Sequence, residues 1–441
     1  MTTARAAAER YRSSVRGCLL GGAVGNALGA PVERWSADRV LAARATGGVR
    51  DYPTDGPLPP GSVTADTQLA LFTAQGLIRA GIRRDRGIGL TVAVVHEAYD
   101  HWLDTQLRPE PAPDAVGPLG RQPWLHQRRD PGRTTPAALT ANRRTGPRYG
   151  HRADNGSKGS GAVTRVAPLG LLPPDGAPDH WFFTSAADVA GYTHGHPTAR
   201  LAAGALGSIV HRLVGGADLD EALDAALDLL AGHEGHEETT AALHRARALA
   251  RGTRPGMPGT PGTAGSAATA GAAGPAGAAG AVGMAGAAVA AGPAGPAGPA
   301  HMAHMAHVAN AANAANAANA ANAANAANAV AAGALGTGRV AEEALAIAVC
   351  AALTAPGPQD VLDALSIAVT HPGGTAATGA VCGQLIGARH GETALPPELV
   401  FRLEGRGTVL ELADDLAFEF TRSERLHGDY GPETGRRQRY S

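Results

Sequence analysis

The chain has 441 residues, with 38 Lys+Arg against 39 Asp+Glu, and only 4% of its residues are aromatic. A formal net charge of -1 gives no electrostatic basis for binding nucleic acid or an anionic membrane, so neither is an expected partner. Ala, Leu and Val dominate the apolar residues, a mixture that suits closely packed helices better than aromatic-rich sheets.

Taken in chain order, the N-terminal residues run into charged helix without the apolar stretch of a secretory leader. Apolar runs such as 343–353 are too short to span a bilayer, and a soluble cytoplasmic protein is expected. Residues 15–27 are apolar and Gly-rich. Residues 67–79 place Leu69, Leu71, Phe72, Leu77 and Ile78 on one broad face. Residues 199–214, 222–231, 341–353, 385–389 and 410–420 keep a helical apolar period of about 3.6 residues. Gly and Pro cluster between them, at 53–61, 109–120 and 168–178, and strand-like alternation is nearly absent.

The three cysteines, Cys18, Cys350 and Cys382, sit in Ala/Leu/Val/Gly settings and read as buried free thiols. His233-Glu-Gly-His-Glu-Glu238 has its two His three apart, not four as a metalloprotease helix requires, and reads as a solvated helix face. Asp414-Asp415 reads as a surface pair.

Residues 252–338 break the composition. Gly-Pro-Ala triplets pass into His-Met-Ala repeats and then an Ala-Ala-Asn repeat, with no acidic residue and no Phe, Trp or Tyr. Such a stretch cannot bury enough apolar surface to offset its ordering entropy, so it reads as a disordered low-complexity insertion, its partner unnamed by the sequence. The expected fold class is all-α. One helical domain is formed by 12–251 and 339–422, interrupted by the insertion, with a polar tail at 423–441 expected to fray.

Five segments carry a family likeness. They are Arg16-Gly-Cys-Leu-Leu-Gly-Gly-Ala-Val-Gly-Asn-Ala-Leu-Gly-Ala-Pro-Val-Glu33, Thr64-Ala-Asp-Thr-Gln68, Asn155-Gly-Ser-Lys-Gly-Ser-Gly-Ala-Val-Thr-Arg-Val-Ala-Pro168, Thr193-His-Gly-His-Pro197 and Thr370-His-Pro-Gly-Gly-Thr-Ala-Ala-Thr-Gly379. In that order they resemble the ADP-ribosylglycohydrolase family. The resemblance implies a single orthogonal helical domain and a hydrolase of ADP-ribosyl linkages. It also implies a centre of two magnesium or manganese ions, and ADP-ribose or an ADP-ribosylated substrate as partner.

The metal ligands of the family map to Thr64, Ala65 and Asp66, then to Gly374, Ala376 and Thr378. Asn26 stands where the family has Asp. Two divalent cations want several hard oxygen donors each, and one aspartate with two neutral hydroxyls cannot balance them. No stably bound metal is therefore expected; magnesium or manganese would be needed only if the site were still active. The leading expectation is a pseudoenzyme that has lost its dinuclear centre and retains ADP-ribose binding. Two alternatives stand: an active ADP-ribosyl hydrolase, with Glu33 and Asp66 as residual catalytic groups, and a structural or regulatory protein with an idle pocket. The intact scaffold predicts that Ala65→Asp, Gly374→Asp and Ala376→Asp together would recover metal binding.

The resemblance also makes the Gly-rich loop the receiver of a diphosphate. Asn155, Ser157, Lys158, Gly159, Ser160 and Gly161 are the candidate ligand-binding residues, joined by His194 in the pocket wall. Small residues in succession leave backbone N–H groups free to cradle phosphate oxygens. Lys158, the only lysine in the chain, is expected to add its charge there.

Overall fold

The Ala-, Leu- and Val-rich stretches form helices, and the Gly/Pro clusters form the turns between them. The computed structural model describes residues 2–87, 92–145, 151–173, 177–252, 329, 332–421 and 438–440. In chain order the helices are α1 (Thr2–Gly29), α2 (Ala37–Ala45), α3 (Ala65–Asp85), α4 (Ala93–Leu107) and α5 (Thr134–Thr145). Next come α6 (Ala167–Gly170), α7 (Asp179–Gly191), α8 (Pro197–Val214), α9 (Leu219–Ala231) and α10 (Glu237–Gly252). The C-terminal part adds α11 (Ala341–Leu353), α12 (Val361–Val369), α13 (Thr375–His390), α14 (Pro397–Arg402) and α15 (Arg406–Thr421).

Among the described residues there is no strand, only an isolated bridge between Gly159 and Val340. The fold is all-α, as the composition predicts. The chain divides into a unit of Met1–Arg254 with Asn322–Ser441 and a second of Pro255–Ala321. That second unit, and with it the reading of residues 253–328 as disordered, lies outside the described residues. Residues 332–338, assigned by the sequence to the same disordered insertion, are instead ordered: Ala332 and Leu335 are buried, and the Glu343 carboxylate accepts from Thr337 N and Gly338 N. No described helix is long and apolar enough to cross a membrane.

Glycine spacing decides how the core is assembled. Gly17, Gly21, Gly25 and Gly29 recur every fourth residue along α1 and so share one face. Gly379, Gly383 and Gly387 do the same on α13. A Cβ on any of these seven would run into facing backbone: Gly387 opposite Gly17, Gly383 opposite Gly21, Gly379 opposite Gly25, Thr375 opposite Gly29. The two helices therefore lie backbone against backbone, and the start of α13 is pressed against the end of α1.

Residues 93–107 fall outside the expected helices, yet α4 buries Val95, Tyr99, Trp102 and Leu103. His96, Glu97, Asp100 and His101 dilute that stripe in the sequence. The pair at 414–415 is not a surface feature. Asp414 binds Arg12 and Arg16, whose guanidinium groups hold its carboxyl down at about 2 against the cost of burial. Asp415 is buried and accepts from Tyr440 Oη at 2.8 Å. The tail thus docks on α15 at Arg439 and Tyr440, and its expected fraying does not hold there. His233 to His236 precede α10 instead of lining it, and His233 stacks on Phe183. The three cysteines are buried and unbridged.

Candidate functional site

Three helix ends converge where the glycine contact brings α1 against α13. Asn26, near the end of α1, donates through Nδ2 to Thr64 Oγ1 at 2.9 Å and to the Ala376 carbonyl at 3.4 Å. Its Oδ1 accepts the Thr64 N–H at 2.7 Å. Thr64 is the N-cap of α3, its hydroxyl also accepting from Asp66 N at 3.3 Å. Glu33, on the short turn after α1, accepts the Ala376 N–H at 3.0 Å and so serves the free amides at the start of α13. One buried amide side chain therefore staples α1, α3 and α13 together.

The carboxylates left in this centre are pushed toward their neutral forms. Burial raises Asp66 above the usual carboxylate range, against the Thr164 hydroxyl, which donates to Oδ1 at 2.9 Å, and the nearby Arg165 charge. Burial, with Asp66 close by, pushes Glu33 up to about 7 despite the Ala376 amide and Arg339.

These residues do not fit a pair of divalent cations. Thr64 Oγ1 already accepts two hydrogen bonds, so no lone pair remains for a metal. Thr378 is buried with its hydroxyl turned inward, donating to Ala368 O at 2.7 Å and meeting His371 Nε2 at 3.0 Å. Ala65 and Ala376 are buried and bring no donor. Gly374 is packed shut. A Cβ there would stand 2.6 Å from the Gly338 carbonyl oxygen, and the Gly374 N–H donates to Thr337 O at 2.7 Å. Among the described residues no three His, Cys, Asp or Glu gather where a metal could be held. At position 374 backbone occupies the side chain's place, which weighs against the expectation that three Asp substitutions would restore the centre.

The Gly-rich loop lies on the other side of residues 337–341. Lys158 O accepts from Ala341 N at 2.9 Å and Ser160 N donates to Arg339 O at 3.0 Å. Asn155 braces the loop from within, its Oδ1 accepting from Ser157 N at 3.0 Å and from Gly195 N at 3.1 Å. The Ser157 hydroxyl meets Thr134 Oγ1 at 3.1 Å. Gly156 is exposed, with open space around it. His194 lies under the loop, its ring facing Gly159 and Gly161. Burial and Arg165 lower its pKa to about 3, so the imidazole is neutral.

Lys158 is turned away from the role expected of it. Its ammonium binds Glu238 at 2.8 Å and Glu342 at 2.9 Å, clipping α10 to α11. The charge under the loop belongs instead to Arg165, fully buried and sitting over the Tyr99 ring at 4.9 Å. Its Nη1 donates to Gly161 O at 3.0 Å and its Nη2 to Thr193 Oγ1. The sequence reading passes over four contributors: Thr164, Arg339, Gly338 and the Arg165–Thr193 contact. Thr164 and Arg165 stand inside the quoted loop segment, but nothing in their spacing says which atoms they meet.

The sequence profile of the ADP-ribosylglycohydrolase family matches residues 7–293 and 264–425 of this chain. The ADP-ribosyl-[dinitrogen reductase] glycohydrolase of Rhodospirillum rubrum is 29% identical over 227 residues, covering 49% of this chain and 63% of that protein. The match thus spans less than two thirds of the relative. A chain of an ADP-ribosylglycohydrolase-related protein complex superposes with a TM-score of 0.55 and 22% identity, over 94% of this chain and 100% of that one. That likeness concerns the fold alone. With the helical core, the Gly-rich loop and the ordered motifs on both sides of the insertion all agreeing, the chain belongs to the ADP-ribosylglycohydrolase family.

Proposed function

We propose that this protein binds ADP-ribose or a related nucleoside diphosphate at the Gly-rich loop and does not hydrolyse ADP-ribosyl linkages. The observation that carries the reading is the state of the six ligand positions. Both hydroxyls are engaged within the protein, and the space beside Gly374 is filled by Gly338. Lewis-acid activation of water needs donors that these residues do not supply. The small, partly exposed loop over a neutral His194 supports retained binding.

The test has two arms. Titration with ADP-ribose should raise the melting temperature. Incubation with an ADP-ribosylated arginine or serine peptide, with or without magnesium or manganese, should release no ADP-ribose. Turnover that disappears in Asp66→Ala overturns the reading, and absence of any nucleotide-induced shift favours a structural protein with an idle pocket. One observation favours a second reading, metal-free hydrolysis. Glu33 lies near neutrality beside Asp66, where a carboxylic acid can donate a proton at physiological pH. That reading requires release with a bell-shaped pH dependence, insensitive to chelator and abolished in Glu33→Gln.

A further inference from the structure

Arg165 is fully buried, and among the described residues no carboxylate is hydrogen-bonded to it. Its Nη2 reaches the carbonyls of Val189 and Ala190 at 3.5 and 3.4 Å, at the end of α7, and the hydroxyl of Thr193 just beyond. Thr193 Oγ1 lies 2.8 Å from His194 Nδ1. We propose that Arg165 acts through Thr193 to hold His194 as its Nε2–H tautomer, so that a neutral imidazole presents one N–H to a phosphate-type anion in the notch between Gly159 and Gly161. The inference rests on the loop being an anion site, and adds the residues that prepare it.

The argument is a count of lone pairs and hydrogens. The guanidinium can only donate, so one lone pair of Thr193 Oγ1 is taken. The hydroxyl hydrogen then needs an acceptor, and among the described residues His194 Nδ1 is the one within hydrogen-bonding distance of Oγ1. Polarisation by the cation makes the hydroxyl a better donor still. With Nδ1 accepting, the proton of the neutral ring resides on Nε2.

That nitrogen faces the loop. It is 3.5 Å from where a Cβ on Gly159 would stand and 3.9 Å from the corresponding point on Gly161. Ser157 Oγ lies 3.7 Å from the first of those points. Two glycines thus leave open the space in front of the N–H, with a hydroxyl at its edge. The opposite tautomer would aim a lone pair at the same space and repel an anion. Arg165 and Thr193 are positioning residues here; neither needs to touch the ligand.

The test is the imidazole nitrogen spectrum of the full chain labelled at histidine, with His194 identified by the signal lost in His194→Gln. At pH 7 the wild type should show a protonated Nε2 and an unprotonated, hydrogen-bonded Nδ1. Thr193→Val should relax that preference and weaken ADP-ribose binding about tenfold, the worth of one good hydrogen bond. Thr193→Ser should restore both. A proton on Nδ1 in the wild type overturns the inference, as does a tautomer unchanged in a folded Thr193→Val. If the Nε2–H tautomer is present but neither ADP-ribose nor pyrophosphate binds, the binding reading fails while the tautomer assignment stands. The wild-type spectrum decides the tautomer even if Thr193→Val does not fold.

Discussion

Asn26 and Thr64 hold each other in both directions: Nδ2 donates to the threonine hydroxyl at 2.9 Å, and Oδ1 accepts the threonine amide at 2.7 Å. A carboxamide does both and also donates to the Ala376 carbonyl, whereas an ionised carboxylate only accepts and leaves that carbonyl without its donor. Asn26→Asp should therefore destabilise the fold by about 1–3 kcal/mol, the cost of an unmet buried polar contact. Denaturant unfolding at pH 7 measures it. An aspartate that leaves stability unchanged would remove the case for Asn26 as a structural staple.

Gly374 carries the second prediction. Its Cβ would need the space of the Gly338 carbonyl, and backbone gives way less readily than a side chain. Gly374→Asp should lose about 1–3 kcal/mol, as overpacking does. The combined Ala65→Asp, Gly374→Asp, Ala376→Asp protein should fail to bind two manganese ions in calorimetry. Stoichiometric binding of two ions by that variant would show that residues 337–339 yield.

Glu33 sets a pH dependence whose sign is definite. Its ordinary value is 4.5 and the folded value about 7, so the folded state prefers the protonated acid. The contribution to stability is fully present below about 4.5 and is lost as pH rises toward 7 and beyond. Glu33→Gln keeps an oxygen for the Ala376 amide and cannot ionise. Its melting temperature should match the wild type at pH 4.5 and exceed it at pH 8. Parallel melting curves for the two proteins across that range would refute the assignment.

Lys158 is predicted to matter for stability more than for binding. Glu342 is 7% exposed, and removing the ammonium leaves its charge without a counter-ion. Lys158→Met should cost about 1–3 kcal/mol by that route, while the exposed Glu238 adds little. The ADP-ribose-induced rise in melting temperature should be retained. Loss of that rise with stability intact would return Lys158 to the role first read from the sequence.

Local pattern made much of this protein legible. The apolar period of residues 67–79 and 199–214 announced α3 and α8, because helix formation with one buried face depends on residues a turn apart. The ordered motifs pointed to the family, and the non-acidic identities of Ala65, Gly374 and Ala376 are read directly in one dimension. The helix α4 stayed hidden because its buried stripe is interleaved with charged and polar residues, one of which, His96, is itself buried and stacked on Tyr192.

The sequence by itself determined the helical class and the family, because these follow from residue type and short spacing. Only the tertiary structure decided which polar atoms are free. It gave the lone lysine to two glutamates, placed Gly338 where a side chain at position 374 would stand, and set Arg165 behind Thr193 and His194. Those outcomes are contacts between residues up to 184 positions apart, as Lys158 and Glu342 are. A hydrogen-bond partner at that distance is chosen by packing, which no local pattern records.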